Sequence, residues 1–125
     1  MDWLVKSEPD DYSFEDLAKA KKAVWDGVAN PVAVKHLASM KKGDRIVVYH
    51  TGKERAAVGL GTVAGVDASD AKAPRVEIAA GRRLGASVSL DAIKASPLFA
   101  SSPLVKMGRL SVVPLTPEQY AFLAG

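Results

Sequence analysis

The chain has 125 residues, 48% of them hydrophobic and 25% charged, the size and balance of one globular domain spanning residues 1–125. It has no cysteine, which excludes disulfides and thiolate metal sites, and no apolar window of about 18 residues that would span a membrane. Seventeen Lys and Arg against fourteen Asp and Glu give a formal charge of +3, too slight a surplus for a strong non-specific nucleic-acid binder but sufficient for an anionic partner met by a local basic patch.

Trp3-Leu4-Val5 is a short apolar run that reads as a buried strand. It is too short for a secretory leader, so the expected location is cytoplasmic. The run turns polar at Lys6, Ser7 and Glu8, and Pro9 stops it. Asp10-Asp11-Tyr12 reads as a turn. Ser13 with Asp16 three residues on has the form of a capping box and predicts a helix from Phe14 to about Lys21, with Phe14, Leu17 and Ala18 inward. Residues 23–28 read as an extended piece entering a turn at Gly27. Asn30-Pro31 pairs an N-cap with a first-turn proline and predicts a helix to Met40 with Ala33, Leu37 and Met40 inward. Lys41 and Lys42 suit its negative end, and Gly43 stops it.

Residues 44–51 form the clearest strand, with Ile46, Val47, Val48 and Tyr49 in a row. After a turn at 51–54, a long strand is expected over 56–66. Its Gly59, Gly61 and Gly65 predict bulges, strong bending or close backbone approach. A loop at 67–73 and a short strand at 75–80 follow, then a basic, glycine-containing stretch at 81–86. Residues 88–95 are expected to turn into a helix capped by Ser89, 96–99 to form a helical turn, and 101–103 a loop. Arg109 is expected to open a last strand ending at Leu115. Thr116, Pro117 and Gln119 start a closing helix with Tyr120, Phe122 and Leu123 inward. Glycine-rich strands with helices tucked between them predict an α+β fold: a small curved sheet or partly closed barrel with peripheral helices.

The chemistry-bearing patterns are mostly negative. His36 and His50 fall on different elements without a third ligand, so no metal is expected. Gly59-x-Gly61 lies inside a strand and does not open a helix, so it is not a dinucleotide fingerprint, and no nucleotide or other cofactor is expected. No nucleophile elbow occurs, and His50 is the one residue that suits a general base. The remaining signal is a set of polar and aromatic residues at the ends of core strands: Lys6 and Ser7, Trp25 and Asp26, Tyr49 and His50, Arg109 and Ser111. Such ends line small-molecule pockets, and a flat ring such as Trp25 stacks on a base. The plain alternative makes Trp25 a core residue and Asp26 a cap for the next turn.

Taken in order, Trp3-Leu-Val-Lys-Ser-Glu-Pro9, Trp25-Asp-Gly-Val28 with Asn30, Gly43-Asp44 leading to Tyr49-His50, and Arg109-Leu-Ser-Val112 with Thr116-Pro117-Glu118 resemble the EVE domain over nearly the whole chain. That family has the PUA-like fold and is related to the YTH readers of methylated adenine in RNA. The resemblance implies a monomeric, non-catalytic module that recognises a modified base, chiefly modified cytosine in DNA, flipped into an aromatic-lined pocket. It implies Lys6, Ser7, Trp25, Asp26, Asn30, Tyr49, His50, Arg109 and Ser111 as ligand-binding residues, with Trp25 as the stacking platform, Ser7 and Asp26 as edge readers, and Arg109 and Lys6 near phosphate or the pocket floor. An RNA-binding PUA-like module and an enzyme or binder of a nucleoside-like ligand are the alternatives. The chain departs from the family pattern at Ala29, where Arg is usual, at Pro31-Val-Ala-Val-Lys35, where a Tyr-Gln-Ala-Arg-like run is common, and at Pro74-Arg75, where an aromatic is common.

Overall fold

A computed structural model describes residues 1–26, 28–70 and 72–125, so the turn expected at Gly27 lies outside the described residues, as does Ala71 of the expected loop. In chain order the elements are β1 (Asp2–Ser7), α1 (Phe14–Ala20), β2 (Lys22–Trp25), α2 (Pro31–Ser39), β3 (Arg45–His50), β4 (Ala56–Asp67) and β5 (Arg75–Ser89). They are followed by α3 (Leu90–Ala95), a 3-10 turn (Pro97–Phe99), α4 (Pro103–Lys106), β6 (Val112–Leu115) and α5 (Pro117–Ala124). No helix among the described residues is long and apolar enough to cross a membrane.

The strands form one mixed sheet in the order β2-β5-β4-β3-β1-β6. β1 runs parallel to β3 and antiparallel to β6. β3, β4, β5 and β2 follow one another antiparallel. β1 and β3 occupy the interior of the sheet, and Trp3–Val5 and Ile46–Tyr49 are all buried. Their unbroken apolar runs are what a strand covered on both faces requires.

The capping signals place the helices. Ser13 and Asp16 make the reciprocal capping box at α1, and Thr116 and Gln119 make another at α5. Asn30 Oδ1 accepts from the Val32 and Ala33 amides to start α2. α1 buries Phe14 and Leu17 against the sheet, each worth about 1.5–3 kcal/mol of transfer free energy. Ala18, expected inward, is exposed. Phe122 is also more open than expected, at 38% exposure, although its edge meets Phe99 with centroids 5.7 Å apart. Leu123 takes the buried place on α5.

Three elements depart from the expected boundaries. β5 does not end near Ala80 but continues to Ser89, because β4 goes on pairing with it as far as Ala56 opposite Ser89. Arg82 and Arg83 in that stretch are exposed and Leu84 is buried, so a polar run is held in a strand by its ladder and one apolar anchor. Residues 102–106 are a capped turn of helix rather than loop: Ser102 accepts from Leu104 N ahead of Pro103, the same chemistry as Asn30-Pro31 and Thr116-Pro117. β6 begins at Val112, and Arg109 lies in a turn closed by Leu110 N donating to Met107 O.

The sheet curls. Pairing of β4 shifts register around Gly59, between Gly59 and Gly61, and between Val63 and Gly65, as its glycines lead one to expect. At Gly59 a side chain would fall on the Phe14 ring, and at Gly61 a Cβ would lie 2.7 Å from Ala79 O. These contacts exclude anything larger and let α1 and β5 approach the β4 backbone. β1 and β2 are four strand spacings apart along the sheet, about 19 Å if it were flat. They nevertheless line one cleft, so the sheet curls into a partly closed barrel and the cleft is the seam between its β1 and β2 walls.

Candidate functional site

The seam is walled by Lys6 and Ser7 from the end of β1, by Tyr12 ahead of α1, and by Ala23, Val24, Trp25 and Asp26 from β2. Its volume is about 220 Å³, small beside the roughly 300–1,000 Å³ of clefts that take drug-sized ligands. It is a space for one ring system.

The alternation of β2 sets the aromatic wall. Lys22 and Val24 are exposed while Ala23 and Trp25 are half-buried, so Trp25 faces the seam and not the solvent side of the edge strand. Tyr12 meets it edge to face, with centroids 6.1 Å apart and planes at 79°. The T-shaped contact braces the indole and leaves it half-buried at the cleft wall. Trp25 is therefore neither enclosed in the core nor free.

The polar groups follow from what each already bonds. Lys6 Nζ donates to Gly108 O at 2.8 Å and lies 5.7 Å from the centroid of the Tyr49 ring. Burial lowers its pKa below the usual lysine value. An ammonium has three protons, so one holds the 107–110 turn and two remain for a ligand. Ser7 Oγ donates to Tyr12 O, which pins the Tyr12 segment to β1 and leaves the hydroxyl's lone pairs as acceptors. The Asp26 carboxylate, half exposed, lies 3.7 Å from Arg75 Nε. Arg75 thus supplies a cation beside the rim. Burial raises the Tyr12 phenol pKa, with Asp16 adding to the effect.

The structure brings Lys6, Ser7, Trp25 and Asp26 together as cleft wall and places the other expected residues around them. Tyr49 is buried beneath Lys6. Burial raises its pKa, and the Arg55 charge opposes that. Ser111 stands behind the cleft, its carbonyl accepting from Lys6 N at 2.9 Å. Arg109 is exposed one residue beyond Gly108. Asn30 spends its side-chain oxygen on the α2 cap. His50 is 1% exposed. Its Nε2 accepts from Phe14 N at 2.9 Å and its Nδ1 pairs with Glu54 Oε1 at 2.7 Å. The ring proton therefore sits on Nδ1, and the lone pair a base would need is taken by the start of α1.

Tyr12 is the wall residue that the sequence reading assigned to a turn. The available signal was its position directly before an N-cap, from which an aromatic packs back across the first helical turn. No cluster of three or more metal-ligating side chains occurs among the described residues.

Comparison with known proteins identifies the family and the fold. The profile of the EVE domain matches residues 2–125. A crystal structure of an Agrobacterium tumefaciens protein is similar at 34% identity and a TM-score of 0.90, covering 98% of this chain and 90% of that one. An NMR structure from Rhodopseudomonas palustris is similar at 36% identity and 0.87, with the same coverage. Human THYN1, solved in complex with 5-methylcytosine-containing DNA, is similar at 27% identity and 0.80, covering 98% of this chain and 95% of that one. No curated protein sequence matches the chain.

Proposed function

This chain belongs to the EVE domain family, and from that premise we propose that it is a non-catalytic nucleic-acid-binding module that takes a modified base, modified cytosine in DNA, into the cleft beside Trp25. The observation that carries the reading is the half-buried indole braced by a T-shaped contact with Tyr12 at the wall of a ring-sized seam. Base stacking on such a ring contributes about 1–3 kcal/mol, comparable to the few kcal/mol that unstacking a base from a duplex costs. Lys6 supplies donors, and Ser7 and Asp26 supply acceptors. A cytosine edge presents both kinds of partner. The 5-methylcytosine DNA bound by human THYN1 supports the choice of nucleic acid. The engagement of both His50 nitrogens weighs against a base-catalysed reaction in the cleft.

The test is anisotropy of labelled duplexes that are unmodified or carry 5-methylcytosine, 5-hydroxymethylcytosine or N6-methyladenine, with single-stranded RNA alongside. One modified-cytosine duplex should bind tightest, and Trp25→Ala should weaken that complex about tenfold to a hundredfold, the equivalent of a stacking contact. Equal affinity for every duplex, unchanged by the substitution, overturns the reading. Preference for RNA over every duplex replaces DNA with RNA as the partner.

A further inference from the structure

A second concavity of about 280 Å³ is walled by Lys53, Glu54 and Arg55 of the β3–β4 turn and by Ser89, Leu90, Asp91 and Lys94 at α3. Three cations and two carboxylates face it, and one carboxylate, Glu54, is occupied by His50 at 2.7 Å. Three cations against two carboxylates leave the notch one positive charge in surplus, with Glu54 held aside by its hydrogen bond to His50.

Its arginine differs from most of the others. Arg45, Arg75 and Arg83 are ion-paired with Asp2, Asp26 and Glu15, and Arg82 donates to Ala124 O. Arg55 and Arg109 have no such partner among the described residues. Arg109 follows Gly108, whose carbonyl holds Lys6. Arg55 immediately precedes β4, whose Ala57 pairs with Tyr49 of β3, and the Tyr49 ring lies under the same lysine. The turn that carries the notch thus follows directly on the strand whose Tyr49 underlies Lys6. The β3–β4 turn is also fixed to the cleft: Thr51 N donates to Ser7 O, and Thr51 Oγ1 reaches Glu8 Oε2 at 3.3 Å. Arg55 itself is held at φ 44°, in the left-handed region, and its carbonyl accepts from Leu90 N. Lys53 and Arg55 are thus presented on a braced turn, and Lys94 of α3 lines the same concavity.

We propose that this notch is a phosphate-binding site that grips the sugar-phosphate backbone next to the nucleotide whose base enters the cleft, through Lys53, Arg55 and Lys94. The proposal rests on the nucleic-acid reading of the cleft and adds a division of labour to it. Backbone contacts position the duplex and carry no sequence or modification preference, whereas the cleft supplies discrimination. Guanidinium and ammonium groups converging on one concavity suit phosphate oxygens.

The experiment measures duplex affinity against salt concentration for the full chain, using the unmodified and 5-methylcytosine duplexes. Lys53→Gln/Lys94→Gln spares Arg55, whose strained backbone makes its substitution ambiguous. Lys41→Gln/Lys42→Gln, at the opposite end of β3, is the matched control for overall charge. The log–log salt slope should fall by about 0.9 for each phosphate contact removed, close to two in all. Both duplexes should lose affinity by the same factor, leaving their ratio unchanged, and the control should lose far less. Lys94→Glu should weaken binding more than Lys94→Gln. A slope that matches the control overturns the notch while leaving the cleft reading intact. A wild-type chain that binds neither duplex overturns both. A loss confined to the modified duplex also overturns the proposal, because a backbone grip cannot distinguish the two.

Discussion

Asp2 and Trp3 at one end of β1 and Lys6 and Ser7 at the other lie on a single short strand, opposite the same neighbour β3. At the first end the polar groups are matched. Trp3 Nε1 donates to Asp44 Oδ2 at 2.9 Å, Lys41 N donates to the same oxygen at 3.0 Å, and the Met1 amine reaches Oδ1 at 3.1 Å. Asp2 takes a two-pronged contact from Arg45, whose guanidinium also lies 3.9 Å from the Tyr120 ring centroid. At the second end the neighbour's polar group is already spent. His50, opposite Ser7, is bound to α1 and to Glu54. Lys6 reaches away to Gly108, and the wall of the gap is completed by a strand four places off in the sheet. A strand end is sealed where its neighbour offers a complementary group in register, and it stays open where that group is committed elsewhere.

The sharpest way to break this contrast is at the sealed end. Asp44→Ala leaves Trp3 Nε1–H and the Lys41 amide without an acceptor in a buried setting, and should cost about 3 kcal/mol. The check is a lower urea midpoint at unchanged m-value. The carboxylate has its own acid signature. Burial pushes its pKa up, but the bonds from Trp3, Lys41 and the N-terminal amine outweigh that and hold it below the usual aspartate value. A depressed folded pKa means that the unfolded chain binds the proton more tightly. The contribution is therefore complete above the unfolded value near 3.8 and is lost as pH falls through the folded one. Asp44→Asn should flatten the acid side of the stability profile. A variant as stable as wild type with the same acid limb would show that this end is not the clamp.

Gly59 lies between the two ends, opposite Val48, which itself pairs with Val5. Gly59→Ala pushes a methyl group onto the Phe14 ring and should cost about 2 kcal/mol by overpacking. Because Phe14 N is bonded to His50 and Tyr12 is bonded to Ser7, the displacement should reach the open end. Urea melts read the first effect, and a shift in Trp25 emission reads the second. A stability loss with unaltered emission would mean that the cleft does not lean on α1.

Local chemistry made much of this legible from sequence. The Ser13 and Thr116 capping boxes, the Asn30 cap and the β3 run depend on contacts within a few residues, and each was placed by residue type. The seam depends on register. That β5 carries Arg82 and Arg83 as strand, and that β2 curls round to face Lys6, follow from ladder pairing and from bulges in β4 whose size no single glycine reveals. Lys6, Ser7, Trp25 and Asp26 were legible as strand ends. Tyr12 looked like a turn residue because its partner Trp25 is thirteen positions away, and the commitment of His50 depends on an amide thirty-six positions away.

The smallest expected stability effect belongs to the residue with the largest expected binding effect. Truncating an enclosed Trp costs about 3–5 kcal/mol through lost transfer energy and the cavity left behind. Trp25 stands on the short edge strand β2, half-buried, and lines an open cleft. Solvent already reaches the space its removal enlarges, so no closed cavity forms. Trp25→Ala should therefore lower stability by only about 1 kcal/mol, in contrast to Asp44→Ala, while removing base discrimination. The same urea melts decide it. A loss of about 3 kcal/mol or more would place Trp25 in the core and make any accompanying loss of binding a folding effect. A small loss with discrimination gone would leave the indole's remaining task in the cleft, as the surface a base stacks on.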